Sequence, residues 1–179
     1  EDLRQIFLVA NGAELTLRNI ILTGGGDQNG GALFVDTNGV AFIYKSIVEE
    51  NNAGADEGGA IYNKGLLDIE QSIIRYNRAD ELGGAILNRG TLTVRSSHVH
   101  NNQAIAPVGT DANGGAIYNL GPLTINDSTF NRNRAENEGG ALALRGNAAT
   151  VINSTLHENY ADRGAGIYVE AATGVTVLN

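Results

Sequence analysis

Cysteine, methionine and tryptophan are absent from the 179-residue sequence, and proline occurs only 2 times. Without cysteine, neither disulfides nor thiolate metal sites hold the fold together. No apolar run approaches the ~18 residues of a membrane-spanning helix, so we expect no membrane insertion by this segment. The net charge of −8 disfavours nucleic acid and anionic membranes as partners, because phosphate binding needs a clustered basic surface.

Glycine, by contrast, is abundant at 24 residues, and much of it lies in a repeated motif. The motif GGAIYN occupies 58–63 and again 114–119, and GGAILN lies between them at 83–88. Double glycines begin at Gly30, Gly58, Gly83, Gly114 and Gly139, and Gly164 opens the variant GAGIYV. A second motif follows in phase, with a serine, an apolar residue, an asparagine and an alanine, as in Ser72, Ile74, Asn77 and Ala79. Two motifs that recur together predict a repeat protein.

Within each repeat the apolar residues alternate with other residues, which predicts strands with one buried face. Three short strands fit into each repeat, and the sequence contains no credible amphipathic helix. A further glycine marks the turn between the first two strands, where we expect a positive φ. These turn glycines are Gly65, Gly90, Gly121 and Gly146.

The repeat length predicts an all-β parallel β-helix, in which each strand pairs with its copy one coil away. We expect about seven coils of ~25 residues, starting near residues 6, 30, 58, 83, 114, 139 and 164. Residues 1–179 then form a single domain. We expect its ends to be uncapped, and to belong either to a longer chain or to a stacked assembly.

Stacked coils place equivalent residues in columns along the axis. One inward aliphatic column contains Leu33, Ile61, Ile86, Ile117, Leu142 and Ile167. An asparagine ladder, whose side-chain amides bond from coil to coil at a bend, contains Asn51, Asn77, Asn102, Asn133 and Asn159. A shorter ladder of the same kind contains Asn63, Asn88 and Asn119.

The repeated GGAI, together with FNRN at 130–133, resembles the GGAI and FxxN repeat motifs of polymorphic outer-membrane proteins. More broadly, the chain is similar to surface and secreted proteins built on the right-handed, pectate-lyase-like β-helix. The resemblance implies a right-handed solenoid, as the crossover preference of parallel strands also favours. It also implies an extracellular or cell-surface location.

An outward column along the first strand of the coils is the best candidate for a binding site. It contains Val9, Phe34, Tyr62, Leu87, Tyr118, Ala143 and Tyr168. An exposed aromatic stripe stacks on sugar rings or binds a protein partner. We therefore select Phe34, Tyr62, Tyr118 and Tyr168 as candidate ligand-binding residues, although aromatic residues also favour strands for packing reasons alone.

Catalysis is the alternative from another functional class. The resemblance to lyases implies a basic residue that acts as the catalytic base, and a cation held by carboxylates. The candidates for the base occupy equivalent turns: Lys64, Arg89 and Arg145. Asp68 faces outward nearby. Hydrolysis needs two outward carboxylates, and only Asp68 and Glu70 share a face. Threonine replaces Asp68 in the next three coils, at Thr93, Thr124 and Thr150, and Thr176 continues this outward column. We therefore assign no catalytic residue.

Metal or cofactor sites are not expected. His98 and His100 share a strand face, and His157 lies two coils away in the same column, but no third ligand is evident. Acidic residues precede the double glycines and offer the one candidate for Ca²⁺, although a solvated acidic edge is the simpler interpretation. These residues are Asp56, Glu57, Asp80, Glu81, Asp111, Glu136, Glu138 and Asp162. An inserted loop at 105–112 lengthens one repeat.

These observations favour a non-catalytic structural or adhesive β-solenoid, with a polysaccharide lyase or hydrolase as the alternative. We expect its partners to be copies of itself, stacked end to end into a filament, or flanking domains. Glycans and host or cell-surface proteins are the other candidate partners.

Overall fold

The computed structural model describes residues 4–26, 29–54, 57–107 and 110–179. Within these residues the chain forms short strands and no helix, and therefore no helix that could cross a membrane. All strand pairs are parallel, and they build four sheets that run along one axis. Each strand pairs with the equivalent strand of the next coil, so the predicted parallel β-helix is confirmed.

Sheets A, B and C are formed by the three strands expected in each coil. Sheet A contains Phe7–Val9, Leu33–Val35, Ile61–Asn63, Ile86–Asn88, Ile117–Asn119, Leu142–Leu144 and Ile167–Val169. Sheet B contains Glu14–Arg18, Val40–Tyr44, Leu66–Glu70, Thr91–Arg95, Leu123–Asn126, Ala149–Ile152 and Val175–Leu178. Sheet C contains Ile21–Thr23, Ile47–Glu49, Ile73–Arg75, His98–His100, Thr129–Asn131 and Thr155–His157. Six coils thus contribute to all three sheets, and a seventh contributes to sheets A and B.

A fourth sheet was not predicted from the sequence. Sheet D contains the two-residue strands Arg78–Ala79, Gln103–Ala104 and Arg134–Ala135. These strands follow the asparagine bend, and they are too short for a hydrophobic alternation to indicate them.

The core lies inside the solenoid and is continuous from coil to coil. The predicted aliphatic column is confirmed: its members from Leu33 to Leu142 are fully buried, and Ile167 is half-buried and packs against them. Phe130 belongs to a second inward column, on sheet C, where it pairs with Val99 and Leu156. Because every coil buries the same face, each coil packs mainly against its two neighbours.

Both predicted asparagine ladders are present. In the longer one the amide Nδ2 of each asparagine donates to Oδ1 of the next, at 3.0 Å from Asn51 to Asn77 and 2.9 Å from Asn77 to Asn102. In the shorter ladder, Asn63 donates to Asn88 at 2.8 Å. Each asparagine of the longer ladder also accepts a hydrogen bond from the backbone of the preceding coil. The ladders therefore satisfy buried polar groups at the bends.

The double glycines recur because each of the two positions has its own constraint. The first has a positive φ, +67° at Gly83, which glycine adopts without strain. The second comes so close to the neighbouring coil that a Cβ on Gly84 would meet the carbonyl oxygen of Gly115. The expectation of a positive φ at the turn glycines is wrong. None of the four has a positive φ: Gly65, Gly90, Gly121 and Gly146. They too are required by close approach, since a Cβ on Gly90 would meet the carbonyl of Gly65.

Candidate functional site

The predicted aromatic column lies on the outer face of sheet A, with one correction to its membership. The register aligns Leu8 with Phe34, and Val9 with Val35. Val9 therefore points inward and is only 2% exposed, whereas Leu8 is 64% exposed. The first coil has no double glycine to fix its register, which explains the error of one residue. The column consists of Leu8, Phe34, Tyr62, Leu87, Tyr118, Ala143 and Tyr168.

The expectation that this column is exposed is wrong for its central members. Tyr62 is 6% exposed and Tyr118 is 8% exposed, while Leu87 and Ala143 are fully buried. They form a separate apolar cluster outside the main core, against which Phe34, Leu82 and Leu120 pack. Burial raises the pKa of the Tyr62 and Tyr118 hydroxyls above the ordinary value of 10.0, so both remain neutral at physiological pH.

Charged side chains from the corners on both sides cover the column. Arg89 extends to Glu57, with Nη2 and Oε1 3.1 Å apart, and its guanidinium lies 5.9 Å from the Tyr62 ring. The Lys64 ammonium lies 5.1 Å from the rings of both Phe34 and Tyr62. Cations thus already occupy the ring faces that a sugar would need for stacking.

The same arrangement recurs farther along the column, around Glu138. This carboxylate is only 2% exposed, and it contacts the guanidinium groups of Arg145 and Arg163. Arg145 also pairs with Glu170 at 2.7 Å and lies 6.0 Å from the Tyr118 ring. A buried carboxylate held by two arginines is a structural ion cluster, and removing one of its members would leave an uncompensated buried charge.

The predicted binding residues are therefore brought together but covered. Phe34 and Tyr62 meet edge to face, with ring centroids 5.3 Å apart, and Tyr168 lies beyond Tyr118 and Ala143 in the same column. A ligand at this column would first have to displace the arginine and lysine side chains. The ligand-binding role of Phe34, Tyr62, Tyr118 and Tyr168 stays a prediction.

The residues considered for lyase chemistry do not converge. Lys64, Arg89 and Arg145 do occupy equivalent corner positions, each directly after a strand of sheet A. They point toward the aromatic column, however, where carboxylates bind both arginines. Asp68 instead lies on the outer face of sheet B, next to a different arginine, Arg95.

A groove lies on the outer face of sheet B, near the start of the coil stack. Its volume is about 340 Å³, and we call it the sheet B groove. It is lined by Thr16, Arg18, Phe42, Ile43, Tyr44, Asp68, Glu70 and Arg95. The register explains this set, because Phe42 lies between Thr16 and Asp68 in one outward column, and Tyr44 lies between Arg18 and Glu70 in the next.

The polar groups of the sheet B groove are organised by Arg95. Its Nη2 lies 2.7 Å from Oδ2 of Asp68 and 3.5 Å from Oε2 of Glu70, so one guanidinium holds both carboxylates. The other oxygen of Asp68, Oδ1, is buried and has no hydrogen-bond partner among the described residues. On the opposite side, the Arg18 guanidinium lies 4.8 Å from the Tyr44 ring.

Phe42 and Tyr44 are the functional candidates that sequence reasoning missed. Both belong to the second coil, and neither has an aromatic equivalent in the coils that follow. The signal was present in the sequence, because aligning the second strands of the first four coils already places Phe42 beside Asp68 and Tyr44 beside Glu70.

The histidines form a pair on sheet C. The rings of His98 and His100 are 4.2 Å apart, and Nε2 of His98 lies 2.5 Å from Oδ1 of Asn131. Burial lowers the pKa of His100 to about 4, assisted by the neighbouring His98, Arg75 and Arg132. Asn131 separates His100 from His157 in their shared column.

No cofactor is indicated in the described part of the chain, where no group of three or more His, Cys, Asp or Glu can hold a metal ion. Of the acidic residues considered for Ca²⁺, Glu57, Asp80 and Glu138 are each paired with an arginine. Asp56 lies outside the described residues, as do residues 108 and 109 of the inserted loop.

These observations define the chain as an all-β parallel β-solenoid with polar ladders at its bends. A family model described as the right-handed β-helix region matches residues 5–179, and the chain belongs to this family. The predicted fold and its right hand are thereby confirmed. Comparisons with curated proteins and with solved structures gave no match.

Proposed function

We propose that the chain is a non-catalytic structural or adhesive β-solenoid of the cell surface or extracellular space. One observation carries the proposal: outward charged side chains pair with each other between neighbouring coils. Arg75 binds Glu49, Arg95 binds Asp68, and Arg132 binds Glu158, each at 2.7 Å. Groups that join one coil to the next stiffen a rod, and they do not converge on a reacting atom.

The geometry of the carboxylates also favours this function over hydrolysis. A glycosidase separates the roles of its two carboxyl groups, one acting as acid and the other as nucleophile or base. Asp68 and Glu70 share one guanidinium, that of Arg95, and so have similar electrostatic surroundings. The sheet B groove remains the observation in favour of the second candidate, a polysaccharide-active enzyme, because it combines two carboxylates with an aromatic ring.

Location and partners are further parts of the proposal. The resemblance of the GGAI and FxxN repeats to polymorphic outer-membrane proteins supports a cell-surface or extracellular location. A rigid solenoid there presents its side chains in fixed columns to glycans or to surface proteins, and rigidity lowers the entropy lost on binding.

End-to-end association is supported by apolar side chains at both ends of the coil stack. Leu8 and Ile21 are exposed in the first coil, and Val169, Val177 and Leu178 in the last. A further coil paired in parallel with these strand edges would cover them. Light scattering and electron microscopy of the purified chain test this part. Filaments whose subunits join by continued sheets would support it, and a monodisperse monomer would contradict it.

A cleavage assay tests the non-catalytic part. The chain is incubated with neutral and acidic polysaccharides, and new reducing ends and unsaturated sugars are measured over several days. We expect neither product. Release of product by the native chain that disappears in Asp68→Asn, but persists in the matched outward variant Thr124→Ala, would make the chain an enzyme and overturn this proposal.

A further inference from the structure

We infer that Asn11 is a site of spontaneous modification, at which an exposed turn converts an asparagine into isoaspartate and aspartate. Four asparagines in the sequence are followed directly by glycine, whose missing Cβ hinders this reaction least: Asn11, Asn29, Asn38 and Asn113. The structure distinguishes the four by the surroundings of the reacting atoms. The inference does not depend on the proposed function.

The reaction is an attack by the backbone nitrogen of the glycine on Cγ of the preceding asparagine. The new N–C bond closes a succinimide ring, and the side-chain nitrogen leaves as ammonia together with the proton of the backbone amide. Water then opens the ring at one of its two carbonyl groups, which gives either aspartate or isoaspartate. The glycine N–H must therefore be free of an acceptor, and its peptide unit must be able to rotate toward the side chain.

Asn11 meets both conditions. Asn11 and Gly12 are exposed, and they are the central residues of a turn closed by one hydrogen bond, from the Ala13 N–H to the Ala10 carbonyl oxygen at 2.9 Å. Gly12 has a φ of +74°, as the third residue of a type II turn does. Among the described residues, neither the Gly12 N–H nor the Asn11 side chain makes a hydrogen bond.

The space around Gly12 is also open. A Cβ built on this residue would meet no atom within 4 Å, so the succinimide ring forms there without a clash. The peptide unit between Asn11 and Gly12 is held only through the single hydrogen bond of its turn, and it can rotate without opening a sheet.

The other three sites fail the first condition, because each glycine N–H already has an acceptor. Gly30, Gly39 and Gly114 donate to the carbonyl oxygens of Glu57, Asp36 and Glu138, at 3.2, 2.8 and 2.8 Å in that order. The first and last of these bonds join neighbouring coils. Asn113 is in addition only 5% exposed, which keeps out the water that opens the ring.

The hydrogen bond sets the size of the difference in rate. We expect Asn11 to react at least about tenfold faster than each of the other three sites, equivalent to about 1.4 kcal/mol of barrier. That is the net contribution of one amide–carbonyl hydrogen bond, which the other sites must first break.

The product changes the surface and leaves the core in place. A carboxylate at position 11 moves the formal net charge from −8 to −9. Isoaspartate also routes the main chain through the former side chain and frees an α-carboxylate. That group is the substrate of carboxyl methyltransferases that act on isoaspartyl proteins, with S-adenosylmethionine as the methyl donor.

The test is to incubate the native chain at neutral pH and body temperature, and to measure both products over several weeks. Cleavage after Arg4 and Arg18 releases residues 5–18, whose only asparagine is Asn11, and mass spectrometry of this peptide measures its conversion. An isoaspartyl methyltransferase with labelled S-adenosylmethionine measures total isoaspartate. Asn11→Gln should abolish most of the label, whereas Asn38→Gln, the matched exposed control, should leave it nearly unchanged.

The same incubation in concentrated urea separates the effect of structure from that of sequence. We expect the four sites to react at similar rates there, because unfolding removes the hydrogen bonds that protect three of them. Circular dichroism checks that both variants are folded, and the peptide map of the native chain decides if either is not. Three results overturn the inference: Asn11 reacts no faster than Asn38 in the folded chain, Asn11→Gln keeps the label, or the preference for Asn11 persists in urea.

Discussion

The asparagine ladder makes a quantitative prediction about stability, which is sharpest at Asn102. This residue is fully buried in the middle of the stack, and its side chain makes five hydrogen bonds. Its Oδ1 accepts from the backbone and the amide of Asn77 at 3.0 and 2.9 Å. Its Nδ2 donates to Oδ1 of Asn133 at 3.0 Å and to two backbone carbonyl oxygens.

Asn102→Ala removes all five hydrogen bonds at once. The side-chain amide has two N–H groups and an oxygen with two lone pairs, so its five contacts amount to four full hydrogen bonds, each contributing about 1 kcal/mol net. We therefore expect the free energy of unfolding to fall by about 4 kcal/mol. Equilibrium urea unfolding, followed by far-ultraviolet circular dichroism, measures this change as a lower transition midpoint.

Two matched variants make the measurement specific to the ladder. Asn159→Ala removes a half-buried member of the last complete coil, so its effect should be smaller than that of Asn102→Ala. Asn147→Ala removes an exposed asparagine with one 3.3 Å hydrogen bond, and it should change the free energy of unfolding by under ~1 kcal/mol. If Asn102→Ala destabilised the chain no more than Asn147→Ala does, the ladder would contribute nothing and the reasoning would be refuted.

Three further predictions concern other positions. Gly84→Ala should lower the free energy of unfolding by about 3 kcal/mol or more, because its Cβ would meet the backbone of the next coil. An unchanged urea midpoint would contradict this. Glu138→Gln should destabilise by about 2–4 kcal/mol in the same assay, because it leaves the Arg145 and Arg163 guanidinium groups without their buried carboxylate. His100, whose pKa is lowered from 6.5 to about 4, binds its proton more weakly in the folded state. Its contribution to stability should therefore be complete above pH 6.5 and be lost as the pH falls toward 4. NMR titration of the ring should give the low pKa directly, and His100→Gln should remove this part of the pH dependence of the melting temperature.

The fold could be predicted because a solenoid repeats each of its constraints. A ladder needs an asparagine in every coil, and a close approach between coils needs a glycine in every coil, so the sequence displays both at a fixed phase. Where the repeat markers are missing, the prediction is wrong by one residue. Val9 was placed outward for this reason, because the first coil has no double glycine, and the alternation alone does not distinguish Val9 from Leu8.

The surface of the solenoid was less predictable than its core. The exposure of Tyr62 and Tyr118 depends on whether the long Arg89 and Arg145 side chains fold back over the strand, which column alignment cannot indicate. The sheet B groove was missed for the opposite reason, since Phe42 breaks the threonine pattern of its column. Sites on repeat proteins arise where a column departs from its consensus, and such departures resemble noise in a search for regularity.

The asparagine ladder also gives the molecule a direction. In every step the amide of the earlier coil donates and the carbonyl of the later coil accepts, so the side-chain dipoles all point the same way along the axis. Aligned dipoles in a buried row polarise one another, and the two end faces are therefore chemically different. Like ends brought together would place acceptor against acceptor at the first coil, or donor against donor at the last. A coil that continues this ladder at either end therefore has to enter with the same polarity as the coils described above.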